Sequence, residues 1–275
     1  MKELFSIGPI HIYFFGVMIA LGIIAASLVA FKEAERQRVS EDLVLNLIII
    51  TVLSGIAGAR IFYILFYNPS YYFNDPLEVF HITEGGLSIH GGIITAMAVG
   101  FIYSKIKKES FFKLADITVI SVALAQGIGR VGCDVFGKPM AKVMPWGINV
   151  GYEILHPVQV YEFLLDYILF FILWRKKEKK KYEGQLFIVY FIGFSIIRGI
   201  VEFFRINPLV WGPFSVSHLL SLIFIVLGLI IYALINRRYD KAFTGNVKKS
   251  SLLKQLISFI LLTAISLNIF YYVQG

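Results

Sequence analysis

VQVYEFLLDYILFFILW, residues 158–174, runs straight into RKKEKKK, residues 175–181. An apolar stretch of that length is about what an α-helix needs to cross the hydrocarbon core of a bilayer, and a dense basic cluster at its end marks a cytoplasmic edge. The same pattern recurs on both sides of it. Apolar runs extend from about Ile12 to Phe31, Leu43 to Tyr67, Leu87 to Tyr103, Asp116 to Gly132, Leu186 to Phe204, Val216 to Ile235 and Leu256 to Tyr272. The 275-residue chain is 57% hydrophobic and only 16% charged, with its charges gathered between these runs. This predicts an all-α, polytopic helical bundle in a membrane, with seven spans in a core and an eighth at the C-terminal end.

Loop charge sets the expected orientation. Lys and Arg cluster after spans one, three, five and seven, and they are scarce after spans two, four and six. By the positive-inside rule both termini face outward. The segment Asn68 to Glu84 has no Lys or Arg and reads as an outside loop lying along the interface. The net charge of +8 belongs to loops, so anionic headgroups are the expected partner and nucleic acid is not. The first run is preceded by only Lys2 and Glu3 and reads as a retained span, despite Ala25-Ala26-Ser27. Expected domains are a membrane core over 1–236, a basic cytoplasmic linker over 237–254 and a last transmembrane helix over 255–275.

Ionisable groups within spans cost roughly 2.5–3.5 kcal/mol each at a helix centre, so each one asks for a reason. The alternation of spans brings His90, Arg130, Arg198, Glu202, Arg60, His156, Gln159, Tyr161 and Glu162 toward the outer side. Arg198 and Glu202 are four apart and share a helix face. Arg130 has no carboxylate within reach in its own span, while Gly127, Gly129 and Gly132 open the surface around it. A guanidinium on such a helix end suits a phosphate, held by paired hydrogen bonds. An imidazole, several guanidiniums and a carboxylate at headgroup depth suggest a site for an anionic lipid. A structural ion pair is the plainer reading of Arg198 and Glu202 taken alone. The chain has one cysteine, Cys133, which rules out an internal disulfide and a cysteine-based zinc site. No nucleotide-binding loop, His-x-x-x-His pair or serine nucleophile motif occurs, and acidic residues near the midplane of the kind a Na⁺ or proton path uses are sparse.

Four blocks carry a family resemblance: Gly85-Gly-Leu-Ser-Ile-His90-Gly-Gly92, Gly129-Arg130-Val131-Gly132, His156-Pro157-Val158-Gln159-Val160-Tyr161-Glu162 and Arg198-Gly-Ile-Val-Glu202-Phe-Phe-Arg205. In this order they resemble the signature blocks of the phosphatidylglycerol:prolipoprotein diacylglyceryl transferase family. The resemblance implies a multi-pass bacterial inner-membrane enzyme without a cofactor or metal. Such an enzyme moves the diacylglyceryl group of phosphatidylglycerol onto the lipobox cysteine thiol of a prolipoprotein signal peptide, releasing glycerol phosphate. It implies His90, Arg130, Arg198 and Glu202 as catalytic residues. Substrate contacts are then expected from Arg130, Arg60, Phe15, Cys133, Gly137, Gln159, Tyr161 and Glu162.

The chain also departs from the family. Where members usually continue Gly-Arg-x-Gly with Asn-Phe-x-Asn-Gly-Glu, it reads Cys133-Asp-Val-Phe-Gly137-Lys138. Where they tend to have a tyrosine before glycine, it has Phe15-Gly16, and its eighth span exceeds their usual seven. Two alternatives stay open: a divergent relative that only binds an anionic lipid or uses another acceptor, and a small-solute transporter. The latter needs polar residues continuing into the inner half of the bundle, where spans three, five and seven are almost wholly apolar.

Overall fold

Without water in a bilayer core, a chain must close its backbone hydrogen bonds within each segment, and every predicted apolar run is a helix. The computed structural model describes residues 2–8, 10–67, 69–80, 85–238 and 252–275. The long helices are α1 (Phe14–Arg36), α2 (Glu41–Tyr67), α4 (Ile89–Ile106), α5 (Phe111–Val131), α6 (Val158–Lys176), α7 (Gln185–Glu202), α8 (Val216–Arg238) and α9 (Leu252–Gln274). A short α3 (Pro69–Asn74) and a 3₁₀ turn (Pro76–Phe80) occupy the expected interfacial loop. Residues 68 and 81–84 of that loop, and 239–251 of the expected linker, lie outside the described residues.

Among the described residues, seven of the eight long helices are long and apolar enough to cross a membrane. The exception is α6, which carries Glu162, Asp166, Arg175 and Lys176 and compensates by burying much of its surface in protein. The fold is an all-α polytopic membrane bundle. The chain forms two compact units, Met1–Val29 with Ala115–Gly275, and Ala30–Leu114.

In the smaller unit, α2 packs along α4 through facing glycines. A Cβ at Gly91 would collide with the Gly58 carbonyl and the Phe62 ring, so the backbones approach as closely as small residues allow. The Ser88 hydroxyl accepts the Gly91 N–H at 3.4 Å and caps α4.

The larger unit is organised around α6. One apolar cluster joins Phe14 and Met18 of α1, Leu124, Ile128 and Val131 of α5, Phe163 and Tyr167 of α6, and Phe270 of α9. A second joins α5, α6 and α7 through Ile120, Ala123, Leu169, Leu173, Leu186, Ile197 and Val201. Three two-stranded antiparallel hairpins accompany the helices: β1 (Glu3–Ile7) with β2 (Ile10–Tyr13), β3 (Ile148–Val150) with β4 (Glu153–Leu155), and β5 (Leu209–Trp211) with β6 (Phe214–Ser215). The all-α reading had no strands. Each hairpin leads into the start of a helix, α1, α6 or α8, and closes its own backbone bonds there. In a path that alternates across the membrane, these three helix starts share a side with the ends of α5 and α7.

The start of α7 depends on a buried carboxylate from another helix. Asp116 of α5 is fully buried and accepts the Gly184 N–H at 2.8 Å and the Phe187 N–H at 2.9 Å, with Lys180 Nζ at 3.1 Å. It caps α7 in trans and neutralises a lysine. Asp116→Ala leaves two N–H groups and an ammonium without that acceptor, at about 1–3 kcal/mol or more. The expected outcome is a fall in Tm of several degrees for the detergent-solubilised protein; an unchanged Tm contradicts the capping role.

Candidate active site

At the end of α5 the helix stops and the chain turns through Gly132 and Cys133, which presents Arg130 sideways to α6. A Cβ at Gly132 would come within 2.9 Å of the Phe15 Cα, which puts Phe15 of α1 against this turn. Arg130 Nη2 pairs with Glu162 Oε1 at 3.1 Å, and its Nη1 donates to Cys133 Sγ at 3.7 Å. Glu162, 2% exposed, also receives Arg205 Nη1 on Oε2 at 3.3 Å. One buried carboxylate of α6 thus bridges two guanidiniums. Sequence spacing cannot show this, because the partners lie on three segments.

A second carboxylate lies at the end of α7. Glu202 pairs with Arg198 at 2.7 Å, as the spacing of four predicts. It also accepts from Ser215 Oγ at 2.6 Å and Asn207 Nδ2 at 2.7 Å. His218 Nδ1 accepts the Ser215 N–H at 3.1 Å and so steadies that serine. Arg198 lies within electrostatic reach of Arg205, Glu162 and Arg130, which makes the two carboxylates parts of one cluster. Asp166 of α6, also buried, lies within electrostatic reach of Arg130 and Glu162, so three guanidiniums meet three carboxylates here. The carboxylates are buried while the three arginine side chains stay partly exposed, and these are the groups an anionic ligand can reach. Beside it opens a cleft of about 400 Å³ lined by Lys138, Glu202, Arg205, Asn207 and Ser215.

The segment after α5 forms the wall. Gly137 N–H donates to the His156 carbonyl at 2.9 Å, Lys138 N–H to the Phe204 carbonyl at 2.9 Å, and Met140 N–H to the Ile154 carbonyl at 2.8 Å. A side chain at Gly137 would strike the Phe204 carbonyl and Val158, so only glycine fits. His156 Nδ1 and Trp146 Nε1 both meet the Tyr161 hydroxyl at 3.0 Å. Gln159 is 1% exposed, and its amide nitrogen and oxygen both lack a protein partner. An unmet amide at this depth is costly and marks a place for water or a ligand group.

The residues expected from sequence therefore fall into two sets. Arg130, Arg198, Glu202, Phe15, Cys133, Gly137, Gln159, Tyr161 and Glu162 belong to the larger unit. Arg60 and His90 belong to the smaller one. His90 is exposed on the first turn of α4. Arg60 is 6% exposed, and its guanidinium donates to the carbonyls of Glu78, Val79, Gly85 and Gly86. It holds the glycine pair that leads to His90, a backbone role that the phosphate reading had not foreseen. Sequence reasoning also passed over Arg205, Asn207, Ser215 and Trp146 as site residues. Only Arg205 carried a signal, as the closing residue of the fourth block.

The family model described as prolipoprotein diacylglyceryl transferase matches residues 2–234. The chain belongs to that family. A phosphatidylglycerol–prolipoprotein diacylglyceryl transferase of Clostridioides difficile is 38% identical over 236 residues, which cover 85% of this chain and 95% of the relative. The transferase of that name from Finegoldia magna is 36% identical over 232 residues, 82% of this chain and 92% of the relative. That from Geobacter sulfurreducens is 36% identical over 247 residues, 85% and 95%. With its apolar helices, this family member is a multi-pass bacterial membrane protein.

One imidazole of the wall has a charge state set by its neighbours. Partial burial, and then the Lys138 ammonium, hold His156 below its ordinary pKa of 6.5. Its neutral form is therefore favoured down to a lower pH than for a free histidine. NMR titration of labelled imidazoles is expected to place the His156 midpoint under 6.5, and Lys138→Ala to move it upward. A midpoint at or above 6.5 in the unaltered protein contradicts this.

Proposed function

We propose that this protein transfers the diacylglyceryl group of phosphatidylglycerol to the lipobox cysteine of prolipoproteins, with the arginine cluster around Glu162 as its phosphate site. Family membership supports the activity. The observation that supports the site is the gathering of three partly exposed arginine side chains, Arg130, Arg205 and Arg198, beside carboxylates that are buried.

In this reading the phosphate of phosphatidylglycerol meets the partly exposed side chains of Arg130, Arg198 and Arg205. The cysteine sulfur attacks the glyceryl carbon that carries the phosphate ester. A C–S bond forms, the C–O bond breaks, and the electron pair leaves on the phosphate oxygen of glycerol phosphate. Arg130, with Arg198 and Arg205, stabilises the charge that collects on that oxygen. His90 takes the thiol proton, because the thiolate is the nucleophile and a free thiol is largely protonated at neutral pH. Glu202 orients Arg198, while Gln159 and Tyr161 shape the wall that receives the glycerol group. Both termini face outward, so the ends of α5 and α7 lie on the outer side, where a signal peptide emerges.

The deciding experiment mixes purified protein with phosphatidylglycerol and a lipobox peptide and weighs the product. A diacylglyceryl mass increment on the peptide cysteine is expected, and its absence under conditions where a relative is active removes the transferase reading. Arg130→Ala is expected to lower turnover roughly 100-fold or more, the scale for losing a donor aimed at developing charge. His90→Ala is expected to lower it with a changed pH profile. Full activity in either variant, with normal folding, takes that residue out of the mechanism.

A further inference from the structure

The family match ends at residue 234, yet α9, beyond it, is built into the unit that holds the arginine cluster. Phe270 is completely buried, with its ring 6.2 Å from that of Phe163. The Ser266 and Tyr167 hydroxyls meet at 2.8 Å in a buried contact deep in the bundle. Over the last turn of α9 the contacts change character. Gln274 Nε2 donates to the carbonyls of Cys133, at 3.0 Å, and Val131, at 3.4 Å. Tyr271 donates its hydroxyl to the Trp146 carbonyl at 2.9 Å, and Lys2 donates to the Val273 carbonyl.

These acceptors bear on the site. The last carbonyls of any helix lack intrahelical donors, and Val131 and Cys133 flank the turn at the end of α5 that aims Arg130. Trp146 is the residue whose indole holds the Tyr161 hydroxyl against His156. We propose that α9 is a positioning element of the transferase site: Gln274 braces the end of α5 that carries Arg130, and Tyr271 braces the wall at Trp146. The proposal rests on the transferase reading for its kinetic consequence, and on geometry alone for the brace itself. A helix that only stabilised the bundle would need Phe270 and Ser266 but not an amide spanning two carbonyls beside Arg130.

Gln274→Glu tests this by replacing the donor with a carboxylate that faces two carbonyls in the same space. Losing such a hydrogen bond predicts a rise in KM for phosphatidylglycerol of roughly three- to tenfold, with KM for the lipobox peptide unchanged. Gln274→Lys, which restores N–H donors, returns it toward the original value. Cys133, the one cysteine of the chain and buried beside the brace, supplies a readout independent of activity. Its alkylation by a maleimide is expected to quicken roughly three- to tenfold in Gln274→Glu. Ser266→Ala is the structural control, expected to lower Tm while leaving KM and alkylation as they were. The proposal falls if Gln274→Glu leaves the alkylation rate unchanged, if Ser266→Ala shifts both readouts as far, or if the lysine variant restores nothing. Faster alkylation in a protein whose unaltered form transfers no lipid keeps the brace and removes the transferase reading instead.

Discussion

A carboxylate buried between two guanidiniums holds the larger unit's functional end together. Glu162 lies on α6, Arg130 on α5 and Arg205 beyond α7, so one side chain ties three segments that no short stretch of sequence relates. Removing Glu162 leaves two guanidiniums without that partner, at about 3–5 kcal/mol. That energy offers a reason why α6 is the least lipid-like of the long helices: its charges need protein around them, and α5, α7 and α9 supply it. The arginines share the glutamates unequally. Arg198 brings its own partner, Glu202, while Arg130 and Arg205 share one. A third carboxylate, Asp166, is buried within electrostatic reach of Arg130 and Glu162, which leaves the partly exposed arginine side chains as the groups that face an anion.

Backbone accounting explains the surroundings of that cluster. Non-helical chain at membrane depth is tolerated only where its polar groups are met inside the protein. The hairpins before α1, α6 and α8 meet this condition by pairing their own strands. The segment after α5 meets it by bonding to the Ile154 and His156 carbonyls and to the end of α7. Irregular backbone can therefore bring Lys138, Trp146 and Ser215 beside helix ends without exposing unmet N–H groups. The Arg60 guanidinium does the equivalent work in the smaller unit, where the paired glycines before α4 leave carbonyls that no helix or strand satisfies.

Most of the fold was legible because a bilayer reduces folding to one readable quantity, the length of an apolar run. The helices extend a few residues past the runs, as at Arg36 of α1 and Lys176 of α6, because a helix continues beyond hydrocarbon into the charged interface. The Arg198–Glu202 pair was legible because spacing of four fixes a shared face. The partner of Arg130 was not, since Glu162 meets it only through packing of α5 on α6. The hairpins escaped because strands of two to five residues in loops have no span-scale periodicity. The role of Arg60 escaped because its acceptors are main-chain carbonyls, which every residue carries.

The segment Cys133 to Lys138 shows how divergence from the family pattern is compatible with its geometry. Its main-chain contacts run through the Cys133 carbonyl, the Gly137 N–H and the Lys138 N–H, while the Cys133 thiol accepts from Arg130 and Phe136 packs against the apolar cluster of α1, α5 and α6. The main-chain bonds at Gly137 and Lys138 do not depend on which side chains the residues bear. The one position whose side chain must be absent is Gly137, and there the chain keeps the family's glycine. At Lys138 a basic group stands where the family pattern is acidic, lines the cleft beside Arg205 and lowers the proton affinity of His156. The backbone frame at Gly137 and Lys138 lets the electrostatics of the wall change at Lys138 without altering the main-chain bonds that hold it.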